Sequence, residues 1–416
     1  MTLLSITSIL ITVSALFAWV NYRTLRLPTT IGIMVISLLF SLLLVLLGAF
    51  GFEAGQQMAE QLVAQIDFNK ALLNGMLGFL LFAGAMHVNI DDLLEAKWVI
   101  GLLASLGLFV STALVGVGTY LVLKLVGIEL SFAYCLLFGA LISPTDPVAV
   151  MGILKTAGVS KKLETKITGE SLFNDGIAIV VFLALFGIAV NGDAVDIGYI
   201  GQLFVQEAIG GALFGFVAGY VVLQMLKRVD NYQVEVLLTL ALVAGGTTAA
   251  AGLHLSAPIA VVVAGLMIGN HGRRLAMSKV TVQHLDTFWE LVDEILNAVL
   301  FLIIGLEVMV MSSDPKVWIV GVLLAVLVLL SRMIAVSLPV AMMRLHRNFH
   351  PHIIKILTWG GLRGGISVAL ALSIPTGPER DIVVTITYVI VVLSILLQGL
   401  TINKLVVATR QENPPT

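Results

Sequence analysis

The feature that most constrains this chain is a set of long windows without a single charged side chain. Thr2–Tyr22, Leu27–Phe52, Trp98–Leu123 and Ile382–Asn403 contain no Asp, Glu, Lys or Arg. Each reaches the roughly 20 residues an α-helix needs to cross a bilayer. Charged residues make up only 12% of the chain and apolar residues 59%, against about a quarter charged in a soluble domain. So little polar side chain cannot cover a water-facing surface, and lipid must do the covering. Backbone groups inside lipid have no water to pair with, so the spans must be helices. The ten-residue alternation of a membrane barrel is absent.

The window Val236–Gly272 is too long for one helix, and the turn-forming stretch Gly252–Pro258 (GLHLSAP) divides it. The same reading along the chain gives about thirteen spans, near 3–20, 29–50, 71–87, 98–123, 131–154, 166–190, 199–226, 234–251, 256–270, 289–311, 317–342, 352–373 and 382–405. With the N-terminus outside, alternate connections leave only Lys70, Lys124, Lys316 and Arg380 on the outer side. Arg332 and Arg363 fall within spans, and the rest of the 23 basic residues collect on the cytoplasmic side. The positive-inside rule supports this orientation, with the C-terminus cytoplasmic. No basic segment precedes the first span, so it reads as a helix rather than a cleaved signal. The long connections are the outer loop Gly51–Lys70 and the cytoplasmic loop Asn270–Phe288, and no soluble domain is visible. A single cysteine, Cys135, excludes an internal disulfide and Cys-based metal motifs. A net charge of −2 without a Lys/Arg-dense stretch excludes nucleic acid as a partner.

A charge at mid-bilayer costs about 2.5–3.5 kcal/mol on insertion scales and marks a functional candidate. The deepest are Asp146, Glu170, Asp175, Arg332 and Arg363. Glu207, Glu235 and Glu307 lie nearer span ends and read as interfacial carboxylates or caps. Asp146 sits in SPTDPVAV (Ser143–Val150), bracketed by Pro144 and Pro147. A proline removes a backbone donor and clashes with the preceding turn, so the fifth span is expected to break there, beside Thr145. The sixth carries GESLFNDG (Gly169–Gly176). Helix neighbours lie three and four residues apart, which stacks Glu170 on Asn174 and Ser171 on Asp175. Oxygen groups of this kind suit a hard, redox-inert cation. Arg363 lies in TWGGLRGGIS (Thr358–Ser367), where flanking glycines loosen the twelfth span. If Glu170 neutralises Arg363, Asp175 is free to take a proton or a cation, and Arg332 becomes a second positive charge near Asp146 or in the cavity wall, or else a packing residue. The two interrupted spans are each second in a run of three, four to six and eleven to thirteen, and the runs start on opposite sides of the membrane. That is the pattern of an inverted repeat with a midplane transport site.

These motifs, with FWELVDEILNAVLFLIIGLE (Phe288–Glu307) and LSAPIAVVVAGLMIG (Leu255–Gly269) in this order, resemble the cation:proton antiporter family 1. Those are the NhaP-type bacterial sodium/proton antiporters related to animal sodium/proton exchangers. The resemblance covers essentially all the spans. It implies an all-α membrane fold with discontinuous helices in a six-helix core, homodimers in the bacterial inner membrane, and elevator-like alternating access without a cofactor. The implied core comprises 98–190 and 312–416, and the implied dimerisation domain 1–97 and 191–311. Carried over by motif, Asp175 binds the ion with Asp146, Ser171 and the Thr145 backbone nearby. Asn174 belongs to the family's Asn-Asp pair, and Glu170 pairs with Arg363. Electrogenic relatives carry Asp-Asp at Asn174–Asp175 and a lysine on the arginine's helix; Lys355 lies two turns too early to match it.

The reading that follows is electroneutral exchange of sodium or lithium for protons, by competition at Asp175. Its alternatives are potassium/proton exchange on the same scaffold and, more remotely, an intramembrane aspartyl enzyme using Asp146 and Asp175. A zinc enzyme finds no H-E-x-x-H. The acids Glu290, Asp293 and Glu294 read either as a cation-attracting funnel or as a solvated helix start. His346, His350 and His352 read as a juxtamembrane loop. Gly211, Gly215 and Gly219 mark close helix packing in span seven, within the chain or at a dimer seam.

Overall fold

In the computed structural model of the chain, the residues described are 3–51, 70–146, 161–192, 197–311, 314–344 and 351–411, with isolated positions between. Among them the secondary structure is helical throughout. The helices are α1 (Leu3–Arg23), α2 (Thr29–Ala49), α3 (Leu77–His87), α4 (Ile90–Val126) and α5 (Phe132–Ile142). There follow α6 (Lys161–Asn191), α7 (Gly201–Leu226), α8 (Tyr232–Gly252), α9 (Ala257–Met267) and α10 (Lys279–Leu306). The last are α11 (Pro315–Met343), α12 (Ile353–Trp359), α13 (Gly365–Leu372) and α14 (Pro378–Thr409). Eight helices among the described residues are long and apolar enough to cross a membrane, and α3 and α5 are shorter apolar helices. Every expected window therefore holds a helix or a pair of half-helices. The fifth window beyond Asp146, including Pro147, lies outside the described residues apart from Met151, as do most of the outer loop Gly51–Lys70, His346 and His350.

Local chemistry sets the helix starts. Asn89, Ser131, Asn231, Ser256, Ser278 and Asp314 each place a side-chain oxygen on the free N–H groups of α4, α5, α8, α9, α10 and α11. Such caps contribute about 1 kcal/mol each. Gly127, with φ +77°, ends α4 in the left-handed conformation that a side chain would strain.

Two apolar cores form. One gathers Phe138, Phe301, Leu324, Leu362 and Tyr388, mainly from α5 and α11–α14. The other gathers Phe82, Leu223, Val243 and Trp289, from α3, α7, α8 and α10. Phe82 and Trp289 meet with ring centroids 4.7 Å apart, and the Trp289 indole N–H donates to Thr239 Oγ1 at 3.1 Å. Helices α4 and α6 contribute to both cores. The glycine stripe on α7 packs within the chain: a Cβ on Gly215 would lie 2.1 Å from the Ala260 carbonyl oxygen of α9, and one on Gly211 2.7 Å from that of Ser256. Large apolar side chains face outward along the long helices, such as Leu43 and Leu46 on α2, Val217 and Val221 on α7, and Leu323 and Val326 on α11. In a bilayer that belt is covered by acyl chains.

Candidate cation and proton site

The site begins where two helices stop in mid-protein. Helix α5 ends at Ile142, and Pro144–Asp146 run on in a non-helical conformation. Helix α12 ends at Trp359, and the chain stays irregular until α13 begins at Gly365. The breaks cross: the Asp146 N–H donates to the Leu362 carbonyl at 2.8 Å. Gly364 permits the crossing, because a Cβ there would lie 2.0 Å from Asp146 Oδ2.

Each break exposes carbonyls that the lost turn no longer satisfies, and an arginine takes them up in both cases. Arg363 Nη1 donates to the carbonyls of Ser143 and Pro144, the latter at 3.0 Å. Arg332 Nη2 donates to the carbonyl of Leu357 at 3.2 Å. A guanidinium at a helix C-terminus also meets the negative end of the helix dipole. Arg332 Nη1 in addition forms an ion pair with Glu170 Oε1, and the two side chains are 7% and 2% exposed. This corrects the expected pairing of Glu170 with Arg363. The physical reason is that Arg363 is drawn to the carbonyl end of α5, whereas Arg332 on α11 lies across from Glu170 on α6. Glu170 and Arg332 thus join α6 to α11, and Arg332, 6% exposed, serves as a buried ion-pairing residue.

The polar groups of α6 reach the first break. Asn174 Nδ2 donates to Thr145 Oγ1 at 2.9 Å, and Thr145 Oγ1 lies 3.1 Å from Ser171 Oγ. Thr145, Ser171, Asn174 and Asp175 are each at most 3% exposed. Among the described residues, neither arginine is placed on Asp175, and no ion pair or hydrogen bond engages its carboxyl. Asp175 and Asp146 instead line one cavity of about 1490 Å³, whose wall also includes Arg273 and the exposed Arg26, Lys161 and Arg274. Glu290, Asp293 and Glu294 of α10 line it too.

The remaining candidates separate. Glu307 and Glu235 lie in end turns of helices but are 8% and 0% exposed. Both sit at helix ends, as expected, and neighbouring helices enclose them; Glu235 accepts from Thr281 Oγ1 at 3.3 Å between α8 and α10. Lys355 is exposed, away from the site. Sequence reasoning passed over Ser394, which receives the Arg363 N–H at 3.1 Å, and Ser143, which donates to Ser111 at 2.8 Å. It also passed over Asn297 in the cavity wall. At the rim, Lys162 pairs with Glu95 at 2.8 Å, and that carboxylate raises the Lys162 ammonium pKa.

Two crossed, broken helices, each capped by an arginine, around one unengaged buried carboxyl define a secondary transporter of the inverted-repeat antiporter fold. The comparisons agree. Residues 11–408 match the family model described as sodium/hydrogen exchanger, transmembrane. The Na(+)/H(+) antiporter NhaP of Pseudomonas aeruginosa is 51% identical over 411 residues, covering 97% of this chain and 96% of that protein. The Na(+)/H(+) antiporter NhaH of Halobacillus dabanensis is 37% identical over 358 residues, covering 84% of this chain and 85% of that one. The fold is that of the sodium proton antiporter MjNhaP1 of Methanocaldococcus jannaschii, with a TM-score of 0.76 at 17% identity over 98% of this chain and 99% of that one. The chain belongs to the sodium/hydrogen exchanger family.

Proposed function

We propose that this protein exchanges sodium, or lithium, for protons across a bacterial cytoplasmic membrane, one ion for one, by competition at Asp175. The observation that carries the reading is that both deep arginines are engaged elsewhere, which leaves Asp175 as an exchangeable carboxyl at the inner end of an open cavity. Sodium binding requires the deprotonated form, and protonation expels the ion. Oxygens of Asp146, Ser171 and the Thr145 backbone contribute to the cation site, and Asn174 holds Thr145 in place. The names of the relatives at 51% and 37% identity support sodium as the cargo.

The core of 98–190 and 312–416 carries the site past a dimerising scaffold of 1–97 and 191–311, in an elevator-like motion. An empty, ionised Asp175 is costly to move through the barrier, whereas the protonated or sodium-bound form is not. That asymmetry couples the two fluxes. The cavity wall includes exposed basic residues, Arg26, Lys161 and Arg274, of the kind the positive-inside rule assigns to the cytoplasm, which supports reading the conformation as inward-facing.

The test is dye-reported proton movement in proteoliposomes on adding sodium, lithium or potassium. Sodium and lithium are expected to evoke proton movement that vanishes in Asp175→Ala. A response to potassium alone would reassign the cargo. No response to any of the three ions, or an unchanged response in Asp175→Ala, would sink the proposal.

A further inference from the structure

Asn297 stands out among the buried polar side chains. It is 1% exposed, and among the described residues neither its amide oxygen nor its amide nitrogen has a hydrogen-bond partner. Buried amides are ordinarily paired, and one left with both ends open calls for an explanation. Its position supplies one. Glu290, Asp293, Glu294, Asn297 and Leu300 follow at helical spacing along one face of α10, and all five line the cavity that holds Asp146 and Asp175. At 1.5 Å per residue, Asn297 lies roughly 10 Å further along that face than Glu290. Leu300, one turn beyond, packs against Gly365, where α13 resumes after its break: a Cβ on Gly365 would lie 2.6 Å from Leu300 Cδ1. The face thus changes from carboxylate to amide to hydrocarbon as it approaches the crossing of the two breaks, and Asn297 is its last polar group.

We propose that Asn297 is a cation ligand supplied from outside the six-helix core: its amide oxygen coordinates the dehydrating ion beside Asp175. The inference rests on the exchange reading above and adds to it a specificity-determining residue. A neutral carbonyl oxygen is suited to the task, since it strengthens cation binding without adding a charge that the cycle must carry. Because α10 belongs to the scaffold, the ligand is available only while the core faces the cavity side, so cation affinity differs between the two faces of the membrane.

The experiment measures half-saturating sodium and maximal rate in proteoliposomes for wild type, Asn297→Leu and Asn297→Ser. Loss of one oxygen ligand in Asn297→Leu is expected to raise half-saturating sodium about tenfold, with the maximal rate within about twofold of wild type. Asn297→Ser, which keeps a shorter oxygen, is expected to fall between. In parallel, the detergent-solubilised variants are titrated with sodium and the gain in melting temperature is followed, a readout that needs no transport. There Asn297→Leu should require about tenfold more sodium than wild type for the same gain. Unchanged half-saturation in Asn297→Leu, or a fall in maximal rate alone, overturns the inference and leaves the exchange reading intact. If Asn297→Leu does not fold, an unchanged half-saturation in Asn297→Ser overturns it instead. A wild type that exchanges nothing refutes the exchange reading, and the thermal titration then decides on Asn297 alone.

Discussion

The pairing of Glu170 with Arg332 makes a prediction that separates it from the pairing with Arg363 that the sequence suggests. Both side chains of the pair are almost fully enclosed, at 2% and 7% exposure. Removing one partner leaves an uncompensated buried charge, which costs about 3–5 kcal/mol. Glu170→Gln and Arg332→Met should each destabilise by that amount. Independent effects would reach roughly 6–10 kcal/mol in the double variant. With both charges gone, however, the main residual loss is the donor to the Leu357 carbonyl, about 1–3 kcal/mol. The coupling energy is therefore several kcal/mol. Arg363 makes its hydrogen bonds to Ser143 and Pro144 rather than to Glu170, so Glu170→Gln with Arg363→Met should couple by no more than about 1 kcal/mol. The assay is unfolding in mixed micelles with increasing SDS, followed by helical circular dichroism, for both double-mutant cycles. A larger coupling in the Arg363 cycle than in the Arg332 cycle would refute the assignment.

Four shorter predictions concern the site and its frame. Asp175→Asn should abolish sodium-driven proton movement while leaving the melting temperature equal or higher, since it removes an unengaged buried carboxyl; a cooperative loss of fold would contradict this. Gly364→Ala places a methyl where Asp146 now lies, 2.0 Å from Oδ2, so sodium transport should fall by about tenfold or more from a shift of about 1.4 kcal/mol, read as initial rate in proteoliposomes. Gly215→Val forces α7 away from Ala260 on α9 and should destabilise the protein by about 1–3 kcal/mol, measured by thermal unfolding in detergent. Finally, competition for one carboxyl requires that half-saturating sodium rise about tenfold for each unit of pH below the site's pKa, at constant maximal rate. A fall in maximal rate with constant half-saturation would speak for a separate proton site.

The spans, the two breaks and the polar face of α6 were legible in the sequence, because each follows from a local rule. Charge-free windows mark helices in lipid, Pro144 and Pro147 around Thr145–Asp146 disfavour a continuous α5, and the spacing of Glu170, Ser171, Asn174 and Asp175 puts them on adjacent stripes of one helix. The partner of Glu170 was not legible. Arg332 and Arg363 both lie deep in later spans, and the choice between them depends on where the carbonyl ends of α5 and α12 come to rest. The burial of Glu235 was not legible for a similar reason: it depends on a neighbouring helix, here α10 with Thr281, that closes over the first turn of α8. Asn297 carries no charge, so a search for buried ions passes it by, although its spacing from Glu290 already put both on one face. The glycine stripe on α7 announced a close helix contact, and only the placement of Ala260 assigns it to α9 rather than to a second copy of the chain.

The central claim is that one exchangeable carboxyl makes the cycle electroneutral. The most direct test measures initial sodium uptake in proteoliposomes at a fixed pH gradient, with the membrane potential clamped by potassium and valinomycin at zero and at about 100 mV. Moving one net charge per cycle would couple the rate to roughly 2.3 kcal/mol at that potential. The account predicts the same rate at both potentials. A rate that rises or falls several-fold with the imposed potential would contradict it.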